Sequence, residues 1–177
     1  KTYGYYHASS QAEYEKIQPL LQQQQAVRGM VWDTVFPDGV GYIRIPTLFV
    51  WGDDVNTVGR DIQDRLCAMM DKRLKGCIVD LRLNGGGNMY PMLAGLYPLL
   101  GDATVLHSTY PDSSVHFSWI LRKGNLYAAN AGGDRTNITH IATTCKPEEK
   151  LAVMVLVGPV TMSSGQACGV ALRKRNN

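Results

Sequence analysis

This chain has no apolar run long enough to cross a membrane. Leu151 to Val157 ends at Gly158-Pro159, far short of the roughly 20 residues that a helical span needs. An excess of charge of either sign is lacking as well. The formal net charge is +3, and the only basic cluster is Arg173-Lys174-Arg175, which argues against a nucleic-acid partner and reads as a solvated helix end. The four cysteines, Cys67, Cys77, Cys145 and Cys168, include no Cys-x-x-Cys pair, and no histidine stands at zinc-ligand spacing. They read as mostly buried thiols without a disulfide framework, and no metal is expected. Gly85-Gly86-Gly87 is not followed by Lys-Ser or Lys-Thr, and no Gly-x-Gly-x-x-Gly is present. Both nucleotide-loop readings therefore fall away, and no cofactor is expected. There is no internal repeat, and the chain opens at Lys1 rather than at a methionine, so its start is read as cut or processed.

What is present is a chain of 177 residues, 45% apolar, which suits a single globular domain. Ser10 can cap a helix over Gln11 to Gln25 that Pro19 interrupts or kinks, and Pro37-Asp38-Gly39 is a turn between Val31 to Val35 and Val40 to Ile45. From Asp53 or Asp54 to about Leu74, Val58, Ile62, Leu66, Met69 and Met70 recur at helical spacing. Cys77-Ile78-Val79 is a short buried strand that leads through Asp80 into the three glycines, and a helix is expected from about Asn88 to Leu100. Ala103 to Ser108 reads as a strand, Val115 to Leu121 and Leu126 to Ala129 as a hairpin, and Ala131 to Glu149 as mainly loop. Leu151 to Val157 reads as a strand buried on both faces, followed by a helix that starts near Ser164. Alternation of strand and helix predicts an α/β core with parallel neighbours.

Ligands of such sheets bind beyond the carboxyl ends of the strands. Two turns stand there: Asn84 to Gly87, and Thr161 to Gly165. The adjacent serines Ser163 and Ser164 are either helix caps or a nucleophile aimed by the turn. The glycines are either a tight turn under a helix or a set of exposed N–H groups suited to an anion. Acyl transfer needs a nucleophile and two N–H donors at the developing oxyanion, and neighbouring turns of this composition meet that need.

Three stretches carry a resemblance: Gly41-Tyr42-Ile43-Arg44-Ile45-Pro46, Val79-Asp80-Leu81-Arg82-Leu83-Asn84-Gly85-Gly86-Gly87, and Val155-Leu156-Val157 leading to Ser163-Ser164-Gly165-Gln166. In order and spacing, over about Val40 to Leu172, they resemble the tail-specific, or carboxy-terminal processing, serine proteases, which include the tricorn core and interphotoreceptor retinoid-binding protein-like peptidases. The resemblance implies a crotonase-like core with a mostly parallel sheet and flanking helices. It implies Ser163 as nucleophile and the N–H groups of Ser164 and Gly86 as the oxyanion hole. Residues 1–39 are then an N-terminal helical and hairpin segment, and 40–177 the peptidase core, expected to be truncated at its C-terminal end. The partner implied is a protein or peptide substrate, and the location favoured is the periplasm or cell envelope.

Gln166 stands where the family commonly has Glu or Asp. The base that must take the serine proton also differs among family members. In the lysine type, a Lys-Thr-x-Gly motif would fall beyond Asn177, although Lys1-Thr2-Tyr3-Gly4 resembles it. In the tricorn type the base is a histidine ahead of the core, where His7-Ala8 stands. His107, His116 and His140 have no motif around them and read as surface or strand-end residues. Asp80 and Arg82 read as a charge pair bracing the glycine turn. The competing reading is a non-catalytic relative that binds peptides or other apolar ligands in the same cleft. An acyl-thioester enzyme of the same fold is a third reading, disfavoured by the Asp-Leu-Arg pattern.

Overall fold

The structure is a computed structural model that describes residues 11–112, 114–143 and 145–175. Lys1, His7 and Ser10, candidates from the sequence, lie outside the described residues. Helix α1 (Gln11–Ala26) continues through Pro19. Strand β1 (Trp32–Val35) turns antiparallel onto β2 (Val40–Arg44), which pairs parallel with β3 (Gly76–Asp80), which pairs parallel with β8 (Val153–Leu156). Between β2 and β3 runs α2 (Asp54–Met70), with Val55, Ile62, Leu66, Cys67 and Met69 on its buried side. After β3 come α3 (Met89–Gly95) and α4 (Tyr97–Leu100).

The single helix expected over 88 to 100 is broken at Leu96. Pro98 has no N–H to continue the ladder, and it sits in the first turn of α4, where none is needed, so the chain restarts as a separate short turn. Close approach of α2 and α3 requires a glycine. A Cβ on Gly95 would fall 2.5 Å from Ile62 Cβ.

The expected mostly parallel sheet accounts for β2, β3 and β8 only. A second sheet, β4 (Ala103–Thr109), β5 (Val115–Arg122), β6 (Asn125–Asn130) and β7 (Arg135–Asn137), is antiparallel throughout, and β7 falls in a region expected to be loop. Val105, Leu121 and Leu126 of this sheet join the same core as Ile43, Val79, Met92 and Leu99. The molecule is therefore mixed α/β around one core.

Two further expectations need correction. Strand β8 is not buried on both faces: it is the edge of its sheet, with Met154 61% exposed and Val157, just past the strand's end, equally so. An apolar run alone does not distinguish a central strand from an edge. Nor are all four cysteines thiols. Cys67 on α2 is disulfide-bonded to Cys145, with Cα atoms 5.6 Å apart, while Cys77 and Cys168 are free and buried. A bridge 78 residues apart in sequence depends on how the long segment after β7 returns to α2, which no spacing rule supplies.

Candidate active site

The two turns singled out in the sequence meet because their strands are neighbours. β3 and β8 pair in parallel from Cys77–Val153 to Asp80–Leu156, so both chains leave the sheet at the same end. The contact continues past the ladder: Leu81 N–H donates to Leu156 O at 2.8 Å, and the Thr161 hydroxyl donates to Leu81 O at 2.7 Å. The same Thr161 oxygen accepts from Gly158 N–H at 2.9 Å, closing the turn after β8.

Asn84 joins these elements. It is fully buried, and its Nδ2 donates to Ile45 O at 3.1 Å, past the end of β2. Its Oδ1 accepts from Gly86 N–H at 3.0 Å, and its backbone oxygen accepts from Met162 N–H at 2.9 Å. One side chain and one carbonyl thus tie β2, the glycine turn and the serine turn together. In the sequence Asn84 stands out only as the start of the glycine turn and as part of a motif. An asparagine ahead of a glycine run, whose side chain can bond the backbone two residues on, was the available signal.

Ser163 follows Met162 and precedes α5 (Ser164–Arg173). Its backbone has φ 50° and ψ −116°, and its side chain makes no helix-cap hydrogen bond. A non-glycine residue in such a conformation costs about 1–3 kcal/mol and is held only where its surroundings fix it. Here the fixing bonds are those of Met162 to Asn84, and of Gly165 N–H to Met162 O at 2.9 Å. A sharp strand-to-helix turn of this kind lifts the serine side chain off the helix.

Gly86 lies against Ser163. A Cβ built on Gly86, where φ is +116°, would stand 2.9 Å from Ser163 Cβ and 3.3 Å from its Oγ. The Gly86 N–H is engaged by Asn84 Oδ1. Ser164 is buried, and its hydroxyl donates to Gly87 O at 2.7 Å. Its N–H opens α5, where the first N–H groups have no acceptor within the helix. Ser163, Ser164 and Gly86 are thus brought together.

Asp80 and Arg82 form the expected pair. Arg82 Nη2 lies 2.7 Å from Asp80 Oδ2, and Tyr42 adds a 2.6 Å bond from its hydroxyl to the same oxygen. Burial alone would push the Asp80 carboxyl up, but the bonds from Arg82 and Tyr42 outweigh it and hold the carboxyl below its ordinary value. The Tyr42 hydroxyl is pushed up, by burial first and then by the Asp80 carboxylate.

Among the described residues, no histidine or lysine is hydrogen-bonded to Ser163. His107 bonds Ser118, His116 stacks on Tyr110, and His140 contacts Asn137, all in or beside the second sheet. No group of three His, Cys, Asp or Glu that could hold a metal occurs among the described residues, and no described helix is long and apolar enough to cross a membrane. Gln166 faces a different space, a groove of about 560 Å³ between β8 and α5 lined also by Val155, Thr161 and Val170.

A serine on a strained strand-to-helix turn, set against a glycine turn at the end of a parallel ladder, is an arrangement found in hydrolases. The sequence profile of Peptidase family S41 matches residues 39–177, and the chain belongs to that family, a family of serine peptidases. It is 41% identical over 92 residues to the nisin-resistance protein of Lactococcus lactis subsp. lactis, a match covering 51% of this chain and 26% of that protein. Its fold is similar to that of a lipoprotein from Streptococcus agalactiae, with a TM-score of 0.53 at 20% identity, covering 90% of this chain and 51% of that one. A photosystem II D1 C-terminal processing protease aligns at a TM-score of 0.46 and 18% identity, over 81% of this chain and 33% of that protein. The chain thus spans about half the length of the lipoprotein, and its match about a quarter of the nisin-resistance protein.

Proposed function

We propose that this chain carries the catalytic core of a serine endopeptidase with a crotonase-like fold, residues 40–177 forming that core behind an N-terminal segment of 1–39. The observation that carries the reading is Ser163, held at positive φ and packed against Gly86. In the proposed reaction, Ser163 Oγ adds to the scissile carbonyl carbon while its proton passes to a base. The C–N bond then breaks, the amine leaves with that proton, and water hydrolyses the resulting ester. The Ser164 N–H and a glycine-turn N–H stabilise the oxyanion, each worth roughly 100 to 1000-fold in rate. Gly86 is our choice for the second donor. To act, its N–H must share or exchange the Asn84 Oδ1 acceptor that it holds at rest.

The candidates for the base within this chain are His7 and Lys1. A histidine base would give the rate an inflection near about pH 6.5, which a lysine would not give unless strongly perturbed. We place the protein at the cell envelope. Two supports are the lipoprotein among its structural relatives and the Cys67–Cys145 disulfide, since such bonds persist in oxidising compartments.

The test is Ser163→Ala in the full-length natural chain. Peptide cleavage and fluorophosphonate labelling should both be lost, and undiminished turnover would end the proposal. The second reading, a peptide-binding relative without catalysis, is favoured by Gln166 in place of the family's acid. It predicts no labelling of the unmodified protein.

A further inference from the structure

After β2 the chain does not go directly to α2. Residues 46–52 run past the glycine turn and are fastened to it. Gly85 N–H donates to the Thr47 hydroxyl at 2.8 Å, Leu48 N–H to Gly86 O at 3.2 Å, and Asn88 N–H to Leu48 O at 2.7 Å. Asn88 Nδ2 donates to Val50 O at 3.0 Å, and from the other side Gly29 N–H donates to Thr47 O at 2.9 Å. Gly87 sits so close to Leu48 that a Cβ there would collide with the Leu48 carbonyl oxygen. This strap is therefore fixed to the same turn that lies against Ser163.

Leu48 points inward and is buried. Phe49 and Trp51 remain 46% and 65% exposed. Their rings stack on each other, with centroids 6.0 Å apart and planes 19° from parallel, and the Arg28 guanidinium lies 4.5 Å over the Phe49 ring. Two large rings, on a strap held by hydrogen bonds to the glycine turn and left in solvent, lose little further freedom when a ligand covers them, and Trp51 is the more exposed of the two.

We propose that Phe49 and Trp51 form a specificity platform that seats one large apolar side chain of a peptide bound at the Ser163 cleft, with Arg28 disfavouring a basic residue there. This rests on the cleft being one that takes a peptide, as argued above. Its continuity with the platform is the strap itself: Leu48, the neighbour of Phe49, is hydrogen-bonded to Gly86.

The experiment uses the full natural chain carrying Ser163→Ala, so that bound peptide is not turned over. Fluorescein-labelled peptides on one scaffold, with Phe, Leu, Ser or Lys placed at each position in turn, are titrated by anisotropy. At one position Phe and Leu should bind roughly tenfold tighter than Ser, with Lys weakest. Adding Trp51→Ala should erase that preference, Trp51→Phe should keep it, and Arg28→Gln should narrow the gap between Ser and Lys. Thermal melts confirm that each variant is folded. A preference that survives Trp51→Ala, or no position with an apolar preference, overturns the platform. Fluorophosphonate labelling of the unmodified protein is scored separately. Labelling without an apolar preference defeats the platform alone, and a preference without labelling defeats the peptidase reading alone.

Discussion

Gly86 and Ser163 are packed so closely that the glycine has no room for a side chain: a Cβ on Gly86 would stand 2.9 Å from Ser163 Cβ. Gly86 also holds φ at +116°, which L side chains rarely adopt. Gly86→Ala therefore meets two obstacles, backbone strain and a collision with the proposed nucleophile. The expected outcome is a stability loss of about 1–3 kcal/mol in urea unfolding. Displacement of the turn should also lower fluorophosphonate labelling by roughly 100-fold, the scale of one lost oxyanion donor. A variant that labels at the unmodified rate would place the chemistry elsewhere.

Asn84 permits a sharper test because its two side-chain atoms do opposite work. Nδ2 donates to Ile45 O while Oδ1 accepts from Gly86 N–H. Asn84→Asp keeps the shape but turns the donor into an acceptor facing a carbonyl, in a fully buried position. The loss should be about 2 kcal/mol or more, because a buried group is left without its partner. Burial raises the pKa of an unpaired carboxyl, and a protonated carboxyl can again donate to Ile45 O. The deficit against the unmodified protein should therefore be smaller at about pH 5 than at about pH 8. Urea midpoints at the two values decide it, and a deficit independent of pH would mean that the site is open to water.

Local signals explain what was legible beforehand. Gly85 to Gly87 and the Gly158 to Gly165 stretch mark turns through their composition, and the apolar runs before them mark strands, so the meeting of Ser163, Ser164 and Gly86 needed only that β3 and β8 be neighbours. What was not legible depends on contacts far apart in sequence. Met154 and Val157 belong to a run that looks buried, yet the strand lies at a sheet edge. Arg135 to Asn137 has too few residues for a periodic pattern and becomes β7 by pairing with β6. The bridge from Cys67 to Cys145 joins α2 to the segment after β7, 78 residues on in sequence. Phe49 and Trp51 lie in a stretch between strand and helix that carries no sequence signal of its own, and their exposure follows from how the strap is bonded to the glycine turn.

The Asp80 cluster makes acid sensitivity predictable in sign. Its carboxyl is held below its ordinary value of 3.8, with the Arg82 and Tyr42 bonds overcoming the effect of burial. A group whose folded pKa lies below its unfolded one stabilises the fold above the unfolded value, and that contribution is lost as pH falls through the folded one. Asp80→Asn should therefore destabilise the protein at neutral pH, and the difference should shrink as pH drops below about 4. Tyr42→Phe removes one of the bonds that lower the carboxyl, so its acid-unfolding midpoint should move to higher pH. An unchanged midpoint would show that the Tyr42 bond at 2.6 Å does not act on the carboxyl in solution.

The cysteines divide into two chemically distinct pairs, and reagents can separate them. Cys67–Cys145 closes a loop with a sequence separation of 78, and restricting that loop in the unfolded chain is worth about 4 kcal/mol in the chain-entropy account. Reduction should lower the urea midpoint accordingly, the loss falling first on the segment around Cys145, which the bridge fastens to α2. Cys77 and Cys168 are different: burial pushes each thiol up to about 12, so neither supplies thiolate at neutral pH. Titration with a disulfide reagent at about pH 8 should find no reactive thiol in the native oxidised protein. In denaturant it should find the two free cysteines, and after reduction all four. Four reactive thiols in denaturant without reductant would refute the bridge. Two in the native state would refute the burial of Cys77 and Cys168.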